Sequence, residues 1–110
     1  MSGEDVGDAT KVKKKKKMRD FIREMEIEDL RFLLDSNQGR AFLWRLVSEC
    51  GIYRASPNEY MERFEGQRDI GLWLLAEIHA VPGKWYSLMA KEAQDRDKYY
   101  SEKKAAEDKK

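Results

Sequence analysis

The large apolar residues of this chain crowd between Phe21 and Met89, and within that span they recur at spacings of three and four. That period belongs to helices with one buried face rather than to strands. Phe21, Ile22, Met25, Leu30, Leu33 and Leu34 mark a first helix over residues 19–34. The pattern slips at residues 26–29, so two short helices are an alternative reading there. Phe42, Leu43, Leu46, Val47 and Cys50 line one face of a second helix over residues 40–50. Tyr60, Phe64, Gly71, Leu74, Leu75 and Ile78 line a third, which reads as the central helix that the rest of the chain covers. Trp85, Leu88 and Met89 dock the start of a fourth. From Ala90 onward Ala, Lys, Glu, Asp, Gln and Arg dominate without a continuous apolar face, and a projecting helix is expected.

The punctuation agrees with these segments. Asp35-Ser36-Asn37-Gln38-Gly39 is a turn signal, and Asp35, Ser36 or Asn37 supplies the cap of the second helix. Gly51 suits the left-handed position that ends it. Ser56-Pro57-Asn58-Glu59 is a capping box with proline at the first helical position, so the third helix is expected to begin there. It should stop before Pro82-Gly83. Gly66 and Gly71 fall inside that helix, where each costs roughly 1 kcal/mol relative to alanine. With Gly39 they read as places of close approach at a helix crossing, or alternatively as a kink or ligand contact. Gly39-Arg40 and Gly66-Gln67-Arg68 each precede a Leu/Trp cluster, which suggests that the second and third helices pack on each other.

Charge changes the picture more than composition does. The 110 residues are 39% charged and 41% hydrophobic, and the formal net charge is only +1. Yet residues 1–10 are acidic, and residues 11–25 carry Lys11, Lys13, Lys14, Lys15, Lys16, Lys17, Arg19 and Arg23 against Asp20 and Glu24 alone. Residues 26–82 are net acidic. The reading is a mildly acidic body with a basic arm. A like-charge block of this kind stays solvated or engages phosphates on nucleic acid, or else membrane or other anions. No aromatic side chain interleaves the lysines, so any nucleic-acid binding through Lys11, Lys13–Lys17 and Arg19 would be independent of base sequence.

Candidate chemistry is sparse. His79 is the sole histidine and reads as a surface or partly buried residue near a helix C-terminus. Cys50 is the sole cysteine, which excludes an intrachain disulfide and a cysteine-rich metal site and implies a reducing compartment. There is no signal-peptide pattern, and no apolar run approaches the roughly 20 residues that span a bilayer. No metal triad, nucleophile motif or phosphate loop is present. A non-enzymatic protein is expected, with no catalytic residue, metal or cofactor. Arg40 and Arg68 are the polar residues of most interest. Each either pairs internally, with Asp29, Asp35 or Asp69 or over an aromatic ring, or contacts a partner together with Trp44 and Trp73.

Several segments together resemble a known family. They are Asp29-Leu30-Arg31-Phe32-Leu33-Leu34, Gly39-Arg40-Ala41-Phe42-Leu43-Trp44-Arg45-Leu46, Glu49-Cys50-Gly51-Ile52 and Gly66-Gln67-Arg68-Asp69-Ile70-Gly71-Leu72. They are similar to a family of small tailed-phage and prophage proteins typified by a podovirus of Bordetella, whose genes lie among virion structure genes. The similarity covers residues 28–89 and leaves the lysine arm and the charged C-terminal segment outside. It implies a phage particle or assembly component, with no catalytic residues to carry over.

These readings combine into an all-α protein, a small bundle of three to four helices. Residues 1–18 form a disordered acidic then Lys-rich arm, residues 19–90 the helical domain, and residues 91–110 a charged helical extension. The expected function is a non-enzymatic virion or head-assembly component, internal, ejected or head–tail associated. Its expected partners are other phage structural proteins, with packaged DNA on the arm and a homo-oligomer as further possibilities. It would act in the virion or the host cytoplasm. The rival readings are a small nucleic-acid-binding protein using the arm and a host-directed phage protein.

Overall fold

The computed structural model describes residues 2–51 and 61–109. The described residues form four helices and no strand: α1 (Ser2–Leu34), α2 (Asn37–Glu49), α3 (Met61–Ala80) and α4 (Trp85–Asp108). The all-helical bundle and the projecting C-terminal helix expected from the sequence are present. The start of the third helix at Ser56, and the burial of Tyr60 and Phe64, lie outside what is described.

α2 and α3 each pack against all three other helices, while α1 and α4 flank them. The central place expected for α3 is shared with α2. The core is small and continuous: Leu34 from α1, Leu43 and Val47 from α2, Leu74 and Ile78 from α3, Val81 from the α3–α4 turn, and Met89 from α4. Trp44, Trp85, Leu75, Ile27, Leu30 and Cys50 pack around it, half-buried. Each fully buried side chain of this size contributes on the order of 1.5–3 kcal/mol.

Each connection has a local cause. Ser36 is the α2 N-cap, its backbone extended and its Oγ accepting from the Gly39 N–H at 2.9 Å. Cys50 is the C-cap, and Gly51 follows at φ 68°, the left-handed position foreseen for it. α3 ends at Ala80, ahead of Pro82-Gly83. Gly83 has φ 135°, and the Trp85 Nε1–H donates to the Pro82 carbonyl at 3.0 Å, closing the turn into α4.

Three expectations are corrected. First, α1 is unbroken through residues 26–29 and runs outward through the lysine block. That block stands off the body as the arm expected from the sequence, every residue from Asp8 to Ile22 being exposed, and α1 continues through it. Extending a helix already anchored at residues 23–34 costs far less than nucleating one, and lysine is a good helix former. Second, the buried face of α2 is turned. Leu43 and Val47 are buried, with Arg40, Trp44 and Cys50 beside them, whereas Phe42 and Leu46 are exposed. Third, the body does not end at residue 90. Glu92 and Arg96 are half-buried and Ala93 is buried, so α4 leaves the body about two turns later.

Candidate docking surfaces

The Gly39-Arg40 pair singled out in the sequence is where three helices are joined. The Arg40 guanidinium reaches across to α4, Nε donating to Glu92 Oε1 at 2.6 Å and Nη2 to Oε2 at 3.2 Å. Its Nη1 donates to the Leu34 carbonyl at 2.7 Å, one of the carbonyls that α1 leaves unpaired at its C-terminus. Both side chains are largely covered, at 15% and 16% exposure. The hydrogen bond to Glu92 holds the Arg40 proton more firmly than in free arginine. Burial opposes this, and the charges of Glu92 and Asp35 add to it. Arg40 is therefore an internal clamp, the first of the two alternatives its sequence setting left open, with Glu92 and the Leu34 carbonyl as partners rather than Asp29, Asp35 or Asp69. The planar fork of arginine suits such two-point binding of a carboxylate.

Gly39 stands at the same corner. A Cβ there would collide with the Leu33 backbone carbonyl and crowd Ser36 Oγ, so glycine is required for α2 to turn back beneath the end of α1. Gly71 is buried on α3, on the side that carries Leu74 and Ile78. Gly66 differs. It is exposed, and no described atom lies within 4 Å of where its Cβ would stand, so among the described residues it meets no crossing helix.

The two candidate tryptophans occupy different settings. Trp44 is half-buried between α2 and α4, its ring centroid 5.6 Å from that of Tyr86. It floors a groove of about 570 Å³ whose walls are Ala41 and Ser48 on α2 and Ala93, Arg96 and Tyr100 on α4. Phe42 lies at its edge, under the Arg45 guanidinium at 5.4 Å. Trp73 is exposed. With Leu74 it faces Leu30 and Leu33 of α1 across a groove of about 280 Å³, with Glu26, Asp29 and Glu77 around the rim. Arg23 spans the same seam, 2.6 Å from Glu77. Arg68 is half-buried on α3. The structure thus divides the four candidates: Arg40 is internal, Trp44 and Trp73 border separate grooves, and no described contact joins them into one site.

Glu92 and Glu77 carry the clamp and the α1–α3 bridge, and the sequence reading named neither in such a role. A signal for Glu92 existed: Trp85, Met89, Glu92 and Arg96 keep a spacing of four, three and four. His79 is exposed in the last turn of α3, 5.7 Å from the Tyr86 ring. Among the described residues no group of three or more His, Cys, Asp or Glu could hold a metal ion, and no helix is long and apolar enough to cross a membrane.

The molecule is a small all-helical protein whose grooves are open and shallow and lie between helix pairs. The chain belongs to the family of Bbp19-like phage proteins, whose model matches residues 30–90. That span contains the Gly39-Arg40 corner, both grooved tryptophans and most of the core, and it leaves the lysine block and the outer half of α4 outside. No curated protein matches the chain, and no solved structure does.

Proposed function

We propose that this phage protein is a non-enzymatic component of the virion or of head assembly, internal, ejected or head–tail associated, and that it acts by docking on other phage structural proteins. The observation that carries this reading is Trp73. It is 61% exposed beside Leu33, on the family-matched body, at an apolar groove open between α1 and α3. Exposed aromatic side chains bordering an apolar groove are the usual anchors of protein interfaces. The experiment is mass spectrometry of purified particles, run beside DNA-free ghosts. Detection in intact particles supports a virion role, and loss from ghosts marks an internal or ejected component. Absence from mature particles removes the virion reading and leaves scaffolding or a host-directed role.

A second reading, nucleic-acid binding, is favoured by the exposed helical array of Lys11, Lys13–Lys17 and Arg19. Phosphate binding through it would weaken steeply with salt and show no base preference. Filter binding of duplex DNA by the full chain at two salt concentrations tests it.

A further inference from the structure

We infer that this chain pairs with a second copy of itself through the outer face of α1, the two helices running antiparallel. Three observations carry the inference, and none depends on where the protein acts.

The first is a second apolar stripe on α1. The body packs on Ile27, Leu30 and Leu34. On the opposite side of the cylinder, Met18, Phe21, Met25 and Phe32 follow at spacings of three, four and seven, with Ile22 beside them. These side chains stay in water: Phe21 is 58% exposed, Met25 50% and Phe32 79%. A stripe at spacings of three and four is the seam by which one helix packs along another.

The second is charge. Lys11 and Lys14 lie on the same face, on the N-terminal side of the stripe, and Glu28 and Asp29 lie beside it on the C-terminal side. A parallel pair would set lysine against lysine. An antiparallel pair centred between Phe21 and Ile22 sets Met18 against the second copy's Met25, and Lys14 against its Asp29, with Lys11 one turn beyond. Opposite charges flanking an apolar seam select orientation in this way. The contact is self-complementary, as a two-fold pair requires.

The third is room. The body contacts only the C-terminal part of α1, while residues 8–22 are exposed. In the antiparallel pair each copy's basic turns lie along the outer face of the other's residues 26–32. The two bodies then sit at opposite ends and do not collide.

Sedimentation equilibrium of the full chain is the test. The expected result is a concentration-dependent dimer that weakens as salt is added, because the flanking pairs are exposed. Phe21→Glu combined with Met25→Glu should weaken it on the order of 100-fold or more, with helicity by circular dichroism unchanged. Orientation is read separately, in a Cys50→Ser background. Chains bearing Met18→Cys should form a disulfide with chains bearing Met25→Cys and not with themselves. A wild-type chain that is monomeric up to about 100 µM overturns the inference, as does a dimer indifferent to the double substitution. Self-linking of the Met18→Cys chain overturns the antiparallel arrangement. Association only on addition of duplex DNA overturns self-recognition and leaves the lysines to nucleic acid.

Discussion

Gly39 and Gly66 look alike in sequence, each one or two positions ahead of an arginine, and they are opposites in structure. At Gly39 an added methyl meets a backbone carbonyl that cannot step aside, so Gly39→Ala should destabilise the fold by about 1–3 kcal/mol. At Gly66 the same methyl meets no described atom and relieves the backbone entropy of a helical glycine. Gly66→Ala should therefore raise stability by about 0.5–1 kcal/mol. Urea denaturation of both variants checks the pair; equal effects would refute the assignment of only one glycine to a crossing. Arg40 also belongs at this scale. Glu92→Gln keeps the shape and removes the charge, leaving the guanidinium without its counter-ion, and about 1.5–3 kcal/mol should be lost in the same assay. Since the Arg40 proton is held more firmly in the folded state, its contribution is fully present below the ordinary arginine pKa. It fades only as pH rises through the still higher folded value, so alkaline buffers short of that point should leave it intact.

Helices were legible one by one, and their contacts were not. The three-and-four spacing located α2, α3 and the start of α4, and Ser36, Gly51 and Pro82 punctuate them as their chemistry dictates. What escaped was which side of a helix is covered. On α1 two apolar stripes share one cylinder, and periodicity alone cannot say that Ile27, Leu30 and Leu34 face the core while Phe21 and Met25 face water. The same ambiguity turned the α2 face toward Phe42 and away from Arg40, because a clamped arginine counts as polar in any hydrophobic pattern although its stem and head are covered. The lysine block reads as a solvated arm in sequence because like charges repel, and α1 reaches into it from the anchored segment at residues 23–34. Deleting residues 1–18 tests how separate that block is. With residues 8–18 exposed, the thermal midpoint of the body should move by no more than a few degrees, followed by circular dichroism at high dilution.

At the scale of the whole molecule the candidate site was legible as residue types and not as a place. Trp44 and Trp73 are conspicuous in the sequence, yet they open onto two grooves formed by different helix pairs, and only the folded chain reveals the separation. Trp73→Ala should therefore leave stability within about 1 kcal/mol, since the side chain is mostly in water, while reducing incorporation into particles. Quantitative mass spectrometry of particles from a complemented deletion phage measures that reduction, and unchanged incorporation would remove Trp73 from the docking surface. The molecule is also long, 84 Å in its greatest extent, and its charge is sorted along α1 with the cations toward one end and the acidic body at the other. A particle of nearly zero net charge with such sorting has a large electric dipole moment, to which the positive N-terminus of α1 adds. Near its isoelectric point of about 7.8, dissolved copies attract one another end to end in dilute buffer, and added salt screens that attraction. The protein should then salt in, becoming more soluble as ionic strength rises from very low values, and two copies laid side by side and antiparallel would cancel the moment along α1.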